Sequence, residues 1–306
     1  LFIITINHSR INEYDPSGVE RGSAMLDYHM HVENYYPFGR TPDTRPDGTD
    51  PMETMHLFAS SAIAHGIEEI AITEHVYHFI QAKEIVDRPW SDEKCFYDMD
   101  EYVDLLQSAA RIGLPIKVGI EMDYIDGKES VIERIVKGYP WDFVLGSVHW
   151  IGDWGFDLPA MASEWDKRST DQAYRDYFRL LGQAVQTGFF DSMSHPDLIK
   201  VMGNMPGGDI SDLYEAFAEQ VSRQEGLCVE ISSAGIRKPV GRIYPERPLL
   251  EACAQYGIPI TTASDAHVVE DIGKDFDQVS ALARSCGYGE AMSFTHRRAE
   301  PVLLEE

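Results

Sequence analysis

Histidine and acidic residues recur along this chain in short motifs, and two of the motifs pair them closely. His29 and His31 are two residues apart, and so are Asp265 and His267. In an extended chain, residues two apart point to the same face, so each pair is placed to grip one ion. Imidazole and carboxylate are the ligand types expected for zinc, manganese or iron. The spacing therefore predicts a metal centre.

These motifs follow apolar runs of strand length, which alternate with amphipathic stretches typical of helices. The predicted strands cover residues 24–28, 67–73, 116–121, 142–148, 188–194, 226–231 and 258–263. The predicted helices cover residues 51–65, 98–112, 128–137, 171–187, 211–225, 246–256 and 275–286. Such alternation without a long linker predicts an α/β fold, a distorted (β/α)7 TIM-like barrel of parallel strands.

Six of the seven predicted strands end in a residue that is able to bind metal. In chain order these residues are His29, His31, His75, Glu121, His149, His195, Asp265 and His267. In barrels of this type the active site forms at the C-terminal ends of the strands, so we expect the metal site there. The sixth strand offers no histidine and ends in Glu230-Ile231-Ser232-Ser233. The remaining histidines are scattered, although His78 follows His75 closely enough to contact a substrate.

Segments outside the alternation suggest how the chain is organised. Residues 1–23 are predicted to be an N-terminal extension, and residues 24–306 a single barrel domain with a Pro/Gly/Asp-rich loop at 34–50. The opening LFIITI lacks the basic flank of a signal peptide, and no apolar run approaches the roughly 20 residues that span a bilayer. These features predict a cytoplasmic protein without a membrane partner, as a monomer or homodimer.

Charge and cysteine content narrow the classes of partner. The formal net charge is -25, from 51 acidic and 26 basic residues, and no Lys/Arg run breaks the acidic pattern. Because such a surface repels a long polyanion, we expect no nucleic-acid partner. A small anion is still compatible, since a few local cations decide that contact. The four cysteines form no CxxC pair, which argues against a zinc ribbon or a disulfide framework.

The motifs DYHMH, ITEH, GIEMDY, GSVHW, SHPD and SDAH, in that order, resemble the polymerase-and-histidinol-phosphatase (PHP) superfamily. Within it, GSVHWIGDWGFD and ISSAGIRKPVGRIYPE are most similar to histidinol-phosphate phosphatases. The resemblance implies a phosphomonoesterase acting on a small phosphorylated metabolite by attack of metal-activated hydroxide on phosphorus. L-Histidinol phosphate is the first candidate substrate, which would place the protein in histidine biosynthesis.

The resemblance also implies two or three divalent ions, of zinc, iron or manganese. One ion would be held by His29, His31, Glu121 and Asp265, and a second by Glu121, His149 and His195, with Glu121 bridging. A third would use His75, His267 and one residue after the first motif. Related phosphatases often place a histidine there, as CPHG, whereas this chain has Tyr36-Pro37-Phe38-Gly39. Asp47 is our first choice for that ligand, and Glu33 is its rival.

Binding a dianionic phosphate in so acidic a chain requires positive charge besides the metal ions. Arg237, just after the sixth strand, is the first candidate for a bidentate clamp, which would explain why that strand carries no metal ligand. Weaker candidates for substrate binding are Lys238, Arg242, His78 and the pair Arg297-Arg298. Candidates for meeting an amine on the substrate are Asp153, Asp157 and Glu230. Asp265 or His267, through metal-bound water, is expected to protonate the leaving alkoxide.

Two other functions are compatible with parts of the pattern. A PHP phosphodiesterase or exonuclease acting on nucleotides or single strands would use the same ligands, but the acidic charge and the lack of interleaved aromatic and basic residues disfavour it. A non-catalytic metal-binding or regulatory domain would be expected to have lost ligands, and most ligand positions are occupied here.

Overall fold

The structure of the protein is a computed structural model that describes residues 23–35 and 50–304. The strands of this part are β1 (Met25–Asp27), β2 (Ile67–Ile72), β3 (Ile116–Asp123), β4 (Phe143–Ser147), β5 (Trp150–Ile151), β6 (Trp154–Gly155), β7 (Ser192–Met193), β8 (Cys228–Ser232), β9 (Ile260–Ala263), β10 (Glu290–Thr295) and β11 (Arg298–Leu303). The predicted extension 1–23 lies outside the described residues except for Ser23.

Seven of these strands form one sheet in the order β1-β2-β3-β4-β7-β8-β9, and all neighbours in it run parallel. The two outer strands also meet. The Tyr28 amide donates to the Thr262 carbonyl at 3.0 Å, and the Thr262 hydroxyl donates to the Leu26 carbonyl at 2.6 Å. The sheet is therefore a nearly closed barrel, which confirms the predicted (β/α)7 fold.

Helices connect the parallel strands, as in right-handed β/α crossovers, and the last helix joins β9 to β10. They are α1 (Pro51–Ala64), α2 (Pro89–Asp92), α3 (Met99–Arg111), α4 (Glu129–Gly138), α5 (Thr170–Thr187), α6 (Ser211–Ser222), α7 (Arg247–Gln255) and α8 (Phe276–Ser285). Among the described residues, no helix has the length and apolar character needed to cross a membrane.

Local sequence signals explain where several helices begin and end. The Asp50 side chain accepts from the Met52 amide at the start of α1, and Asp98 caps α3 in the same way. Helix α5 ends at Gly188, whose φ of 66° is the left-handed conformation that glycine adopts without strain. The predicted strand at 188–194 is the least accurate, because only Ser192–Met193 pair as a strand there.

A C-terminal hairpin, β10–β11, covers the amino end of the barrel and lies outside the predicted alternation. Its Phe294 ring packs 4.8 Å from Phe143 and 6.0 Å from Tyr28, measured between ring centroids. The Phe294 amide donates to the Tyr28 hydroxyl at 2.7 Å. At the hairpin turn, the Arg297 guanidinium pairs with Asp191 at 3.0 Å. Arg297 therefore holds the hairpin in place at the end opposite the predicted metal site, and does not reach a substrate there.

We expect Phe294→Ala to lower the free energy of unfolding by about 3–5 kcal/mol, because Phe294 is buried and its loss leaves a cavity at the barrel floor. Denaturant unfolding measures this. Exposed Arg298→Ala on the same hairpin is the control and should change stability by no more than about 0.5 kcal/mol. A Phe294→Ala protein as stable as the control would show that the hairpin does not seal the barrel.

Candidate metal centre

The carboxyl ends of the strands bring the histidines and carboxylates of the sequence motifs together. His29 and His31 follow β1, His75 follows β2, Glu121 lies in β3, His149 follows β4, His195 follows β7, and Asp265 and His267 follow β9. The rings lie close to one another: the centroids of His31 and His75 are 3.9 Å apart, and those of His149 and His195 are 5.2 Å apart. The barrel thus turns motifs that are distant in sequence into one cluster.

Glu121 is the centre of this cluster, and its side chain is only 1% exposed. Its Oε1 lies 3.1 Å from His195 Nε2, 3.4 Å from His149 Nε2 and 3.5 Å from His29 Nε2. Its Oε2 contacts His75 Nδ1. One carboxylate therefore faces imidazoles that arrive from several strands, as a ligand shared between two ions would.

Asp265 forms a second focus beside the first. Its Oδ1 lies 3.2 Å from His31 Nε2, 3.8 Å from His29 Nε2 and 3.6 Å from His267 Nδ1. The backbone at Asp265 has a φ of 50°, so Asp265 and His267 are not the extended pair that their spacing predicted. A turn, instead of an extended strand, brings both side chains to the same place.

Hydrogen bonds hold the unusual backbone at two of these positions. His195 has a φ of 25°, and its amide donates to Glu230 Oε1 at 3.0 Å. Asp27, which is fully buried, accepts from the Ser264 amide at 2.8 Å and from the Ser264 hydroxyl at 2.5 Å. Conformations of this kind persist only where their surroundings fix them. The barrel therefore uses buried carboxylates to set the positions of His195 and Asp265.

Several buried polar atoms of the cluster have no hydrogen-bond partner within the described part of the chain. They are His29 Nε2, His31 Nε2, His75 Nδ1 and Glu121 Oε2. These atoms have charged neighbours but no hydrogen bond, and a buried polar atom left without one costs about 1–3 kcal/mol, so their convergence calls for a ligand. Groups whose ligand atoms lie within 4.8 Å of one another are His29–His31–Asp265, His29–Glu121–His195, His31–His75–His267 and His31–Glu33–Glu74. This donor set fits divalent metal ions such as zinc.

Three further carboxylates contact the outer nitrogens of the histidine rings. Glu230 Oε2 lies 2.9 Å from His29 Nδ1, and Asp123 Oδ1 lies 2.7 Å from His149 Nδ1. Glu74 Oε1 lies 3.3 Å from His31 Nδ1. A ring whose Nδ1 donates to a carboxylate presents a free Nε2 to a metal, so these contacts orient the ligands.

These orienting carboxylates were not predicted from the sequence. A signal did exist for Asp123, which is two residues after Glu121 and therefore on the same face of β3. Glu230 was a candidate for binding an amine of the substrate. It is fully buried, however, and its two oxygens contact the His29 ring and the His195 amide. The sixth barrel strand thus supports the centre with a carboxylate, although it offers no histidine.

Burial and close charges set the protonation of the cluster. Burial alone would raise the pKa of Glu121, but the rings of His75 and His149 outweigh it and hold that pKa well below the usual carboxyl range. Burial, the His31 ring and the nearby Lys238 ammonium lower the pKa of His267 to about 4. Burial opposes the charged form of His31, yet Asp265 and Glu74 raise its pKa to about 10. Metal binding at this ring is therefore expected to release a proton.

The predicted third-site ligand Asp47 lies outside the described residues. Its rival Glu33 lies near this part of the cluster, with Oε1 3.9 Å from His267 Nε2. Glu33 Oε2 is buried without a hydrogen-bond partner in the described part of the chain. Burial raises the pKa of Glu33 to about 8, and the neighbouring Glu74 charge adds to that rise.

A cavity of about 290 Å³ opens beside the cluster. Its walls include His75, Glu121, His149, His195, Asp265 and His267, and also Tyr77, Trp90, Trp150, Asp157 and Lys238. Of the substrate-binding candidates, Lys238 lines this cavity. The structure does not bring His78 or Arg242 to it. The His78 ring is buried against Tyr97 with its centroid 4.7 Å away, and Arg242 pairs with Glu246 at 3.0 Å.

Arg237, the predicted phosphate clamp, forms hydrogen bonds and an ion pair within the protein. Its guanidinium donates to the Ser264 carbonyl at 2.5 Å and to the Ser233 hydroxyl at 3.2 Å, and it pairs with Asp271 at 3.2 Å. Because Ser264 precedes Asp265, these contacts fix the turn that carries the Asp265 carboxylate. The geometry therefore favours a positioning role for Arg237 over a bidentate contact with phosphate.

Comparisons with known proteins agree with this arrangement. A family model described as PHP domain matches residues 40–234, and one described as PHP-associated matches residues 248–276. A curated relative from Deinococcus radiodurans, named "Probable histidinol-phosphatase", is 32% identical over 251 residues, covering 81% of this chain and 93% of its own length. A "Histidinol-phosphatase" from Lactococcus lactis is 24% identical over 280 residues, covering 88% of this chain and 94% of its own.

A solved structure has the same fold. The histidinol phosphate phosphatase of Lactococcus lactis, crystallised with zinc, L-histidinol and phosphate, superposes with a TM-score of 0.65 at 23% sequence identity. The match covers 90% of this chain and 98% of that one. At this level of identity the likeness establishes the barrel fold.

We expect Asp123→Asn to weaken metal binding by about 10–100-fold, because His149 loses the carboxylate that orients its ring. A competition titration with a chelator measures the affinity. Asp126→Asn, an exposed change in the same segment after β3, is the matched control and should bind metal as the wild type does. Equal affinities for the two variants would contradict an orienting role for Asp123.

Proposed function

Since the chain belongs to the PHP domain family, we propose that it is a metal-dependent phosphomonoesterase that hydrolyses L-histidinol phosphate to L-histidinol and phosphate. The observation that carries the proposal is the convergence, around Glu121, of imidazole and carboxylate atoms without hydrogen-bond partners at the wall of a cavity that Lys238 also lines. The phosphatase names of the curated relatives support the choice of reaction.

We propose the ligand sets that the resemblance to the family implies, and the distances around Glu121 and Asp265 support the first two. One ion would be held by His29, His31, Glu121 and Asp265, and the second by Glu121, His149 and His195. The proposed third ion would use His75 and His267, together with Asp47 or Glu33. Zinc, iron and manganese all suit these ligands, so we propose two or three ions of one of these metals. Such ions lower the pKa of water and neutralise charge on a phosphoryl group.

Lys238 is proposed to bind the phosphate of the substrate. It lines the cavity, and no ion pair of its ammonium is found within the described ranges. After burial and the His31 ring, its charge also lowers the pKa of His267, so the ammonium lies near that ring. A lysine ammonium at this place adds the positive charge that a phosphate dianion requires in an acidic protein.

Asp265 and His267 are the candidates for handling the proton of the leaving alkoxide. Burial and the His31 ring lower the pKa of His267 to about 4, so its ring is neutral at neutral pH. The rings of His29 and His31 overcome burial and hold the pKa of Asp265 well below its usual range. Neither group holds a proton of its own at neutral pH, so either must first take the proton from water before passing it on.

We expect metal-loaded protein to release phosphate from L-histidinol phosphate faster than from other small phosphate esters, in a panel that includes nucleotides. Lys238→Ala should lower kcat/KM by about 10–100-fold, the effect of losing a charged hydrogen bond of about 1.5–3 kcal/mol. Arg242→Ala removes a cation that is exposed and paired outside the cavity, so it should change kcat/KM by about twofold at most.

The panel contradicts the proposed reaction if L-histidinol phosphate is left intact while another ester is cleaved well. Faster release from an oligonucleotide would favour a phosphodiesterase instead. If Lys238→Ala and Arg242→Ala behave alike, the assignment of Lys238 to the phosphate is wrong, whatever the substrate.

A further inference from the structure

Asp157 lies in the cavity wall at the point where the β5–β6 hairpin returns to the barrel. The residue before Asp157 is hydrogen-bonded to the end of β4: the Phe156 amide donates to the His149 carbonyl at 3.3 Å. The cavity lining includes Asp157 together with His149 and His195. The hairpin therefore places an acidic side chain beside the cluster.

One oxygen of the Asp157 carboxylate is not satisfied by any described residue. Its Oδ1 is buried and has no hydrogen-bond partner there, and no cation of the described chain pairs with it. By contrast, Glu74, Asp123 and Glu230 each contact a histidine ring. Asp157 also belongs to none of the groups placed to hold a metal ion. A buried, unpaired carboxylate oxygen is unfavourable unless a ligand supplies the missing donor.

The other acidic candidates for meeting a substrate amine do not face the cavity with a free oxygen. The Asp153 side chain is fully exposed, and Arg88 lies 3.6 Å away from it. Glu230 is fully buried, with one oxygen near the His29 ring and the other accepting from the His195 amide. Asp157 is therefore the remaining candidate among the three.

The charges of the cavity match a substrate with one anionic and one cationic end. Its acidic wall residues are Glu121, Asp157 and Asp265 in the described part of the chain, and two of these belong to the metal cluster. Lys238 supplies a positive charge near the cluster. The rest of the wall is largely apolar and aromatic, with the Trp90 ring 5.0 Å from Tyr77 and 5.6 Å from Trp150. Such a wall suits the carbon body of a small metabolite.

From this arrangement we infer that Asp157 is a specificity residue that binds the ammonium group of a phosphorylated amino alcohol. The inference rests on the proposed phosphatase function and names the feature by which that site selects its substrate. The phosphate occupies the metal cluster and Lys238, and the ammonium donates to Asp157 Oδ1. A site built to pair a buried polar group rejects an analogue that lacks the partner, because the protein group is then left unpaired.

The test compares L-histidinol phosphate with its des-amino analogue, the same phosphate ester without the amine. We expect Asp157→Asn to lower kcat/KM for the amine-bearing ester by about 10–100-fold and to change kcat/KM for the analogue by about threefold at most. Asp153→Asn is the matched control, since it removes an exposed charge from the same hairpin, and it should leave both values as in the wild type. Elemental analysis checks that both variants retain the wild-type metal content.

Each outcome has a distinct meaning. An equal loss on both esters, or no loss on either, overturns the role of Asp157 while the phosphatase function stands. A reduced metal content in Asp157→Asn also overturns it, because the residue would then support the metal cluster. If the wild type cleaves neither ester but cleaves another phosphate well, the proposed substrate fails, and the inference fails with it.

Discussion

The burial of the Glu121 carboxylate among histidine rings is the interaction on which the rest of the site depends. A carboxylate that is 1% exposed is costly unless positive charge or donors surround it. His29, His75, His149 and His195 approach its two oxygens from different strands. The carboxylate is still not fully satisfied, since Glu121 Oε2 and several ring nitrogens have no hydrogen-bond partner in the described chain. The arrangement is best explained as a cradle that divalent cations complete.

The barrel architecture brings these histidines and carboxylates together. Parallel strands place all their carboxyl ends on one side, so residues from Asp27 to His267 meet there. Buried hydrogen bonds then fix the details, as Asp27 does for Ser264 and Glu230 does for the His195 amide. At the opposite end, the C-terminal hairpin inserts Phe294 into the barrel floor. The packing of the C-terminal hairpin and the candidate metal centre thus lie at opposite ends of the same sheet.

The sequence predicted the barrel and the cluster because both follow from short-range patterns. Apolar runs mark the buried strands, and a histidine or carboxylate directly after a run must lie at the strand end. Partners distant in sequence carry no such mark. From the sequence, Arg237 was predicted to be available for phosphate, yet its guanidinium donates a hydrogen bond to the Ser264 carbonyl. The pairing of His29 with Glu230 and the packing of Phe294 likewise depend on contacts that only the closed sheet creates.

Anomalous X-ray diffraction from crystals of the metal-loaded protein would locate the ions around Glu121. We expect at least two metal peaks within ligand distance of the Glu121 carboxylate, one shared with His29, His31 and Asp265 and the other with His149 and His195. A single ion without Glu121 as a ligand, or metal found only away from this cluster, would show that Glu121 does not bridge a metal centre.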